Sequence, residues 1–554
     1  MRAWLRKGRY SKWWMSGAVV VSCVALSSAV IGLESDDNEG SDLVGVPRTV
    51  PKATCGPEDH PEIALQGQVP APLRASGFHG FNCNLTLIGQ SRGDGANWQT
   101  AEFRDGQLNT GENEEGEDNG ARGGHICAYH GTSFSAVNRT QTGVRVLDVT
   151  DPTDPTPTAY LTTASMLDPW ESLKVNERRQ LLAANNGHNG GAGPEVDVYD
   201  VSGDCRFPQF LTSTAVGKAD GSTGIPAPVT GHEGSWAPDG LTYYGGDLAH
   251  FQYVAVDMTD PTEPRLIATF NTGLGAGPPY ANAHGLSISE DGNRAYFVTA
   301  VYSSFVDLTT LGNPDVVPNN GLIIADISEI QARKPNPKMS IVSKLLWRDG
   351  KAAQHTINVK IRGKPYIIFV DEGGSGGNTP AGWQAACAAG LPAWPYARII
   401  DISDETKPKI VSRLMLEVED PANCSMVLPD LIGRASFTYG SHYCSVDNRK
   451  NATTLACGYF NSGIRVFDIR DPRRPKEIAY YNPAGTTTPS PGSNHLRPGG
   501  WVAGGPDWCT AQVHLDAQRG TLWTTCQDNG LLVLKFERGV WPFEDSRTPP
   551  GQQN

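Results

Sequence analysis

The sequence predicts an all-β protein: a seven-bladed β-propeller of four-stranded antiparallel blades, preceded by an N-terminal export or anchor segment. Three observations carry this expectation. A strand-and-turn motif recurs seven times between residues 143 and 539, a hairpin pattern precedes the copies, and turn-forming residues are abundant. Gly 62 and Pro 40 together make 102 of 554 residues, enough for many short strands and still below the level of low-complexity chains. With 39% hydrophobic and 19% charged residues, the chain is too apolar and too lightly charged to be disordered throughout. The 46 basic and 59 acidic residues leave a net charge of −13. A surface of that sign repels phosphate backbones and argues against a nucleic-acid partner.

The first element is a leader. Arg2, Arg6, Lys7, Arg9 and Lys12 precede an apolar stretch from Trp13 to Leu33, and Glu34, Asp36 and Asp37 follow it. Basic, then apolar, then acidic is the order of a signal peptide or of a single N-terminal membrane anchor with its basic end in the cytosol. Ser28-Ala29 offers a small-residue cleavage site, and Val20-Val21-Ser22-Cys23 has the look of a lipobox that would lipidate Cys23. The segment at 1–33 is therefore read as leader and 34–75 as linker. The propeller occupies 76–540 and a tail 541–554. The membrane is involved only through the leader, and the rest is extracytoplasmic: secreted, periplasmic or held at the cell surface.

The repeats come next. GVRVLDVTDPTDP (143–155), EVDVYDVSGDC (195–205), QYVAVDMTDPTEP (252–264), GLIIADISEI (321–330), ARIIDISDETKP (397–408), GIRVFDIRDPRRP (463–475) and GLLVLKFERG (530–539) share one plan. An alternating β-branched run is a strand of period two. The closing Asp and the Asp-Pro that often follows it signal a turn, because Asp bonds the backbone two residues on and Pro fixes φ. The aspartates are Asp148, Asp200, Asp257, Asp326, Asp401 and Asp468, with Lys535 in the seventh place, at steps of 52, 57, 69, 75, 67 and 67 residues. Hairpins such as SISEDGNRAYFVTA and NVKIRGKPYIIFVDE fill the space before each copy. Four strands per unit and seven units close into a ring, which removes exposed sheet edges.

These motifs resemble the LVIVD-repeat family, over about residues 76–540. The resemblance implies a β-propeller on an exported or cell-surface protein and implies no single activity. Two copies depart from the pattern: the second lacks the Pro-x-x-Pro turn, and the last has Lys535 for Asp.

Of 11 cysteines, Cys23 lies in the leader and ten remain, an even number suited to an oxidising compartment. Cys83 with Cys127, Cys444 with Cys457, and Cys509 with Cys526 fall on the first two strands of blades one, six and seven. Neighbouring antiparallel strands bring opposed residues within disulfide reach, so these three bridges are expected. Cys387 and Cys424 lie in loops on one face and can pair, which leaves Cys55 and Cys205. With no CxxC, thiolate metal ligation is disfavoured.

The candidate site comes from histidine placement. His79, His232, His284, His355 and His442 all sit where the chain enters the first strand of a blade, the strand that lines the channel. That position repeats around the axis, so the imidazoles can converge on a transition metal such as Cu, Fe or Zn. Blade two carries Trp170 and Glu171 in this place, and blade seven Asp507. Glu171, Glu233 and Asp507 are the candidate further ligands or catalytic bases. The competing reading is that a recurring blade-entry His is a structural hydrogen-bonding residue. His188, His250, Asp371, Glu372 and Trp170 are secondary candidates for ligand contacts on the same face, because loops on a rigid scaffold often carry function. Trp383, Trp394 and Trp501 lie in Gly/Pro-rich insertions and are read chiefly as packing residues.

Two functions follow. The first is an exported or cell-surface propeller that binds a protein partner or small-molecule ligand at the channel mouth. The alternative is a metal-dependent enzyme, an oxidoreductase or lyase, with its centre on the propeller axis.

Overall fold

The structure is a computed structural model and describes residues 48–96, 98–106, 124–132, 143–185, 196–213, 217–218, 232–247, 252–271, 283–299, 306–316, 318–431, 437–491, 493 and 504–544. The leader, His188, His250 and Trp501 lie outside the described residues. Among the described residues no helix is long and apolar enough to cross a membrane.

Seven antiparallel sheets make up the fold, five of four strands and two of five. Their innermost strands are Thr100–Arg104, Lys174–Asn176, Glu233–Trp236, Leu286–Ile288, Lys351–Ile361, Cys444–Val446 and His514–Asp516, in blades 1 to 7. The alternating runs form the third strand of each blade: Val144–Asp148, Val196–Asp200, Gln252–Asp257, Asn320–Asp326, Ala397–Asp401, Ile464–Asp468 and Gly530–Phe536. Both faces of these strands are covered by neighbouring blades, so Val198, Val254, Ile323, Ile399 and Val466 have no exposure. The core is accordingly a set of apolar layers between blades.

The repeated Asp has a shared structural job. In six blades its Oδ1 accepts from the backbone N–H two residues on: Thr150, Ser202, Thr259, Ser328, Ser403 and Arg470, at 2.7–3.1 Å. This Asx turn reverses the chain toward the fourth strand. In blade 7 no fourth strand follows. Its outer strand is Leu85–Ser91 from the N-terminal side, paired with Gly530–Phe536, so the ring closes with strands from both ends of the propeller. Lys535 occupies the Asp position there and donates to the carbonyl of Arg519.

That closure corrects the expected layout of blade 1. Cys83 does not lie on its first strand. Phe81–Cys83 is instead a fifth, outermost strand on blade 6, paired with Lys476–Asn482. The expected Cys83–Cys127 bridge is replaced by Cys55–Cys83 and Cys127–Cys205. The former ties the preceding segment to the outside of blade 6, and the latter ties blade 1 to blade 2. Cys444–Cys457 joins directly opposed residues of two strands. Cys509–Cys526 and Cys387–Cys424 complete five bridges. These disulfides point to an oxidising, extracytoplasmic environment.

Residues 48–75, read from sequence as linker, pack onto the propeller. Val50 N–H donates to the Met415 carbonyl, Gln68 Nε2 to Asp430, and Val69 is fully buried. Trp383 and Trp394 are buried in the layer between blades 5 and 6.

Candidate functional site

The chain enters each inner strand on one face, and those entries converge near the axis. They divide it into two halves. Blades 7, 1 and 2 present Trp508, Trp98 and Trp170, which pack with Phe460 and Phe437 into one aromatic cluster. Trp98 stacks on Trp170 with centroids 5.4 Å apart and meets Trp508 edge-on at 5.5 Å. Blades 3, 4 and 6 present His232, His284 and His442, all buried.

Glu171, from blade 2, sits at the boundary. Its neighbour Trp170 has φ 46°, in the left-handed region that bulky residues rarely adopt. Such strain persists only where surrounding structure imposes it. Here the Ser172 hydroxyl donates to the Pro169 and Asn185 carbonyls, and the backbone of Glu171 lies alongside that of Glu233 in an isolated parallel bridge. The turn sends Trp170 into the aromatic cluster and the Glu171 carboxylate among the imidazoles.

Glu171 Oε2 lies 3.2 Å from His284 Nε2 and 3.4 Å from His232 Nε2, and Oε1 lies 3.3 Å from His442 Nε2. Oε2 also accepts from Gln354 Nε2 at 2.9 Å and Tyr443 OH at 3.3 Å. Glu372, at the end of the second strand of blade 5, faces the same imidazoles: Oε2 is 3.3 Å from His442 Nε2 and Oε1 3.9 Å from His284 Nε2. Behind them, the Nδ1 atoms of His284 and His442 are held. His284 Nδ1 contacts Glu233 Oε2 at 3.1 Å, and His442 Nδ1 contacts the Thr510 carbonyl at 3.0 Å. Gly285 lets these groups approach, since a Cβ there would stand 2.3 Å from Glu233 Oε2 and 2.4 Å from the Gln354 carbonyl.

The Nε2 atoms of His284 and His442 are buried and make no aligned hydrogen bond. Among the described residues no lysine or arginine forms an ion pair with Glu171, Glu233 or Glu372. Burial disfavours the charged form of His284, but Glu171, Glu233 and Glu372 outweigh it and raise its pKa to about 9. Burial likewise opposes charge on His442, and Glu171 and Glu372 bring it to about 9. Burial would raise Glu171, yet His284 and His232 hold it well below the ordinary carboxylate range. Protons on the His284 and His442 imidazoles would balance the carboxylates. A cation between them would do the same.

The expected ring of five histidines is thus a group of three. His79 is exposed because the segment carrying it leads to the outside of blade 6, not to the first strand of blade 1. Trp98 holds the blade 1 position. His355 is buried but turned aside: it stacks on Tyr443 at 4.7 Å, its Nε2 accepts from the Cys444 N–H at 3.4 Å, and burial depresses its pKa. Asp507 anchors a loop, accepting from the N–H groups of Trp508, Asp528 and Asn529 at 2.7–3.0 Å; Trp508 holds its blade's axial position. Asp371 is buried in an ion pair with Arg398 and accepts from Asn320 Nδ2 at 2.8 Å. Gln354, Tyr443, Trp98 and Trp508 were not singled out by sequence. Trp98 was findable, because in NWQTAEF it stands two residues before an inner strand, as His284 and His442 do.

A cavity of about 1020 Å³ runs along the axis from Glu233, His355 and Tyr443 to the hairpin turns at Asp239 and Asp291. Lys174 stands in its wall, 5.3 Å from the centre of the Tyr443 ring, and burial lowers its pKa.

No protein-family model matches the chain, and no curated protein matches it. Solved structures similar to it include a protein from Lactobacillus plantarum (11% identity, 72% of this chain and 88% of that one, TM-score 0.45). The Cps50 (Swd1) β-propeller domain of Myceliophteria thermophila is similar over 74% of this chain and 93% of its own (9% identity, TM-score 0.42). Kuenenia stuttgartiensis hydrazine synthase is similar over 75% and 93% (13% identity, TM-score 0.42). Likenesses this remote say nothing of chemistry.

Proposed function

We propose that this chain is an extracytoplasmic metal-dependent enzyme whose centre is held by His232, His284, His442, Glu171 and Glu372, beside the axial cavity that Glu233 and Tyr443 line. The observation that supports this reading most is the buried, lysine- and arginine-free meeting of three imidazole Nε2 atoms with two carboxylates. Two imidazoles and one carboxylate on one side of an ion are a donor set used by non-haem iron, and the same atoms suit zinc or copper. A metal here would supply Lewis acidity or an electron. Glu233 and the Thr510 carbonyl would orient the ligand imidazoles, as outer-shell partners do. Tyr443 and Lys174, on the cavity side, would meet the substrate: Tyr443 as a hydrogen-bond donor already aimed at Glu171, Lys174 as a positive charge for an anionic group.

We also propose membership among the LVIVD-repeat propellers, on the strength of six matching strand-and-Asx-turn units. Export through the leader at 1–33 belongs to the same reading.

Metal analysis of the purified full-length chain and of His284→Ala tests the proposal. Retained Fe, Zn or Cu in the parent, reduced at least about tenfold in the variant, is the expected result. A metal-free parent that takes up none of these ions, with a variant of unchanged stability, overturns it and leaves a ligand-binding scaffold.

A further inference from the structure

The arrangement of the carboxylates at this centre points to a number. We propose that the site holds two metal ions bridged by Glu171, with Glu372 a ligand of the second. This inference rests on the metal-centre reading above and deepens it.

Each carboxylate spreads its two oxygens between two imidazole groups. Glu171 turns Oε2 to His284 and His232, and Oε1 to His442. Glu372 turns Oε1 toward His284 and Oε2 toward His442. A single ion would use one oxygen, or one bidentate pair, from each group on a common side. Here the donor atoms sort into two sets instead. One comprises His232 Nε2, His284 Nε2 and the Oε2 of Glu171. The other comprises His442 Nε2, the Oε1 of Glu171 and an oxygen of Glu372. Within each set the donor atoms lie within 4.8 Å of one another. The unbonded Nε2 atoms of His284 and His442, each from a buried side chain, aim at opposite ends of the same carboxylate.

Charge favours two ions as well. Glu171, Glu233 and Glu372 meet within one buried cluster, with Lys174 in the wall of the adjoining cavity. A carboxylate that bridges ions about 3.5–4 Å apart neutralises part of the charge of each, which is the arrangement of two-metal hydrolases and oxidases. The substrate class that suits such a pair is a small anion or ester, with Lys174 in the neighbouring cavity wall.

The test is a Co2+ titration of the metal-stripped full-length chain, followed by visible absorption and EPR, with Glu372→Gln in parallel. Two equivalents bound by the parent, with the EPR intensity per cobalt falling as the second enters, and one equivalent bound by the variant, support the pair. Saturation of the parent at one equivalent overturns the pair while sparing the single-metal reading. No specific uptake overturns both. Circular dichroism of the variant guards against misfolding, and the parent stoichiometry decides the matter even if that variant does not fold.

Discussion

Glu233 and His284 meet through Oε2 and Nδ1 at 3.1 Å, a contact that fixes the imidazole and directs its Nε2 at Glu171. Glu233 faces the Nδ1 side of the His284 ring, so its effect on the centre is exerted through the imidazole. Glu233→Gln keeps the shape and weakens this acceptor. Metal affinity is expected to fall about 10–100-fold, with the fold intact by circular dichroism. Unchanged affinity would show that His284 does not need this partner.

The histidines separate into those that face the carboxylates and those that do not. His79→Ala and His355→Ala should keep the full metal content, since His79 is exposed and His355 is engaged by Tyr443 and the Cys444 amide. His442→Ala should lose metal. Elemental analysis of the three variants checks this ordering.

The disulfides should differ in value. The Cys127–Cys205 bridge closes a separation of 78 residues and Cys444–Cys457 one of 13. On the chain-entropy account these are worth about 4.5 and about 3 kcal/mol. Denaturant unfolding of the two double Cys→Ala variants should rank them in that order.

Asp349 gives an acid-dependent stability. Burial opposes its charge, but Arg398 at 2.6 Å and Arg413 at 3.1 Å overcome this and hold its pKa at about 2, against an unfolded value of about 3.9. A depressed carboxylate stabilises the fold above the unfolded pKa and loses that contribution as pH falls through the folded one. The side chain is 14% exposed, and the difference corresponds to about 2–3 kcal/mol. The parent should exceed Asp349→Asn in stability at pH 5–7, with the excess closing between pH 4 and pH 2.

The Asx turns can be probed one at a time. Asp401→Ala removes the acceptor of the Ser403 N–H and should cost about 1 kcal/mol. Lys535→Ala, where no Asx turn forms, should cost less. Thermal melts of the two variants compare them.

Much of the fold was legible in the sequence because its determinants are local. Period-two apolar runs and Asx-turn aspartates are read within a dozen residues, and they recur. Blade 1 was misplaced because ring closure is not local: Leu85–Ser91 pairs with a strand more than four hundred residues away, and nothing in GFNCNLTL marks it as the outer strand of another blade. The error carried His79 into the site and paired Cys83 with Cys127. His232, His284 and His442 were identified because entry to an inner strand fixes position on the axis. That Glu171 would be the hub was not visible, since its direction depends on the left-handed backbone of Trp170. Glu372 and Asp371 were indistinguishable by sequence; alternation along one strand sends the first to the imidazoles and the second to Arg398.

The most direct measurement is anomalous diffraction from crystals of the metal-loaded chain, collected above and below the absorption edge of the bound metal. Density between Glu171, His284 and His442, within bonding distance of their Nε2 and carboxylate oxygens, is the predicted result. Crystals whose anomalous signal lies elsewhere, with these side chains hydrogen-bonded only to each other, would contradict the account.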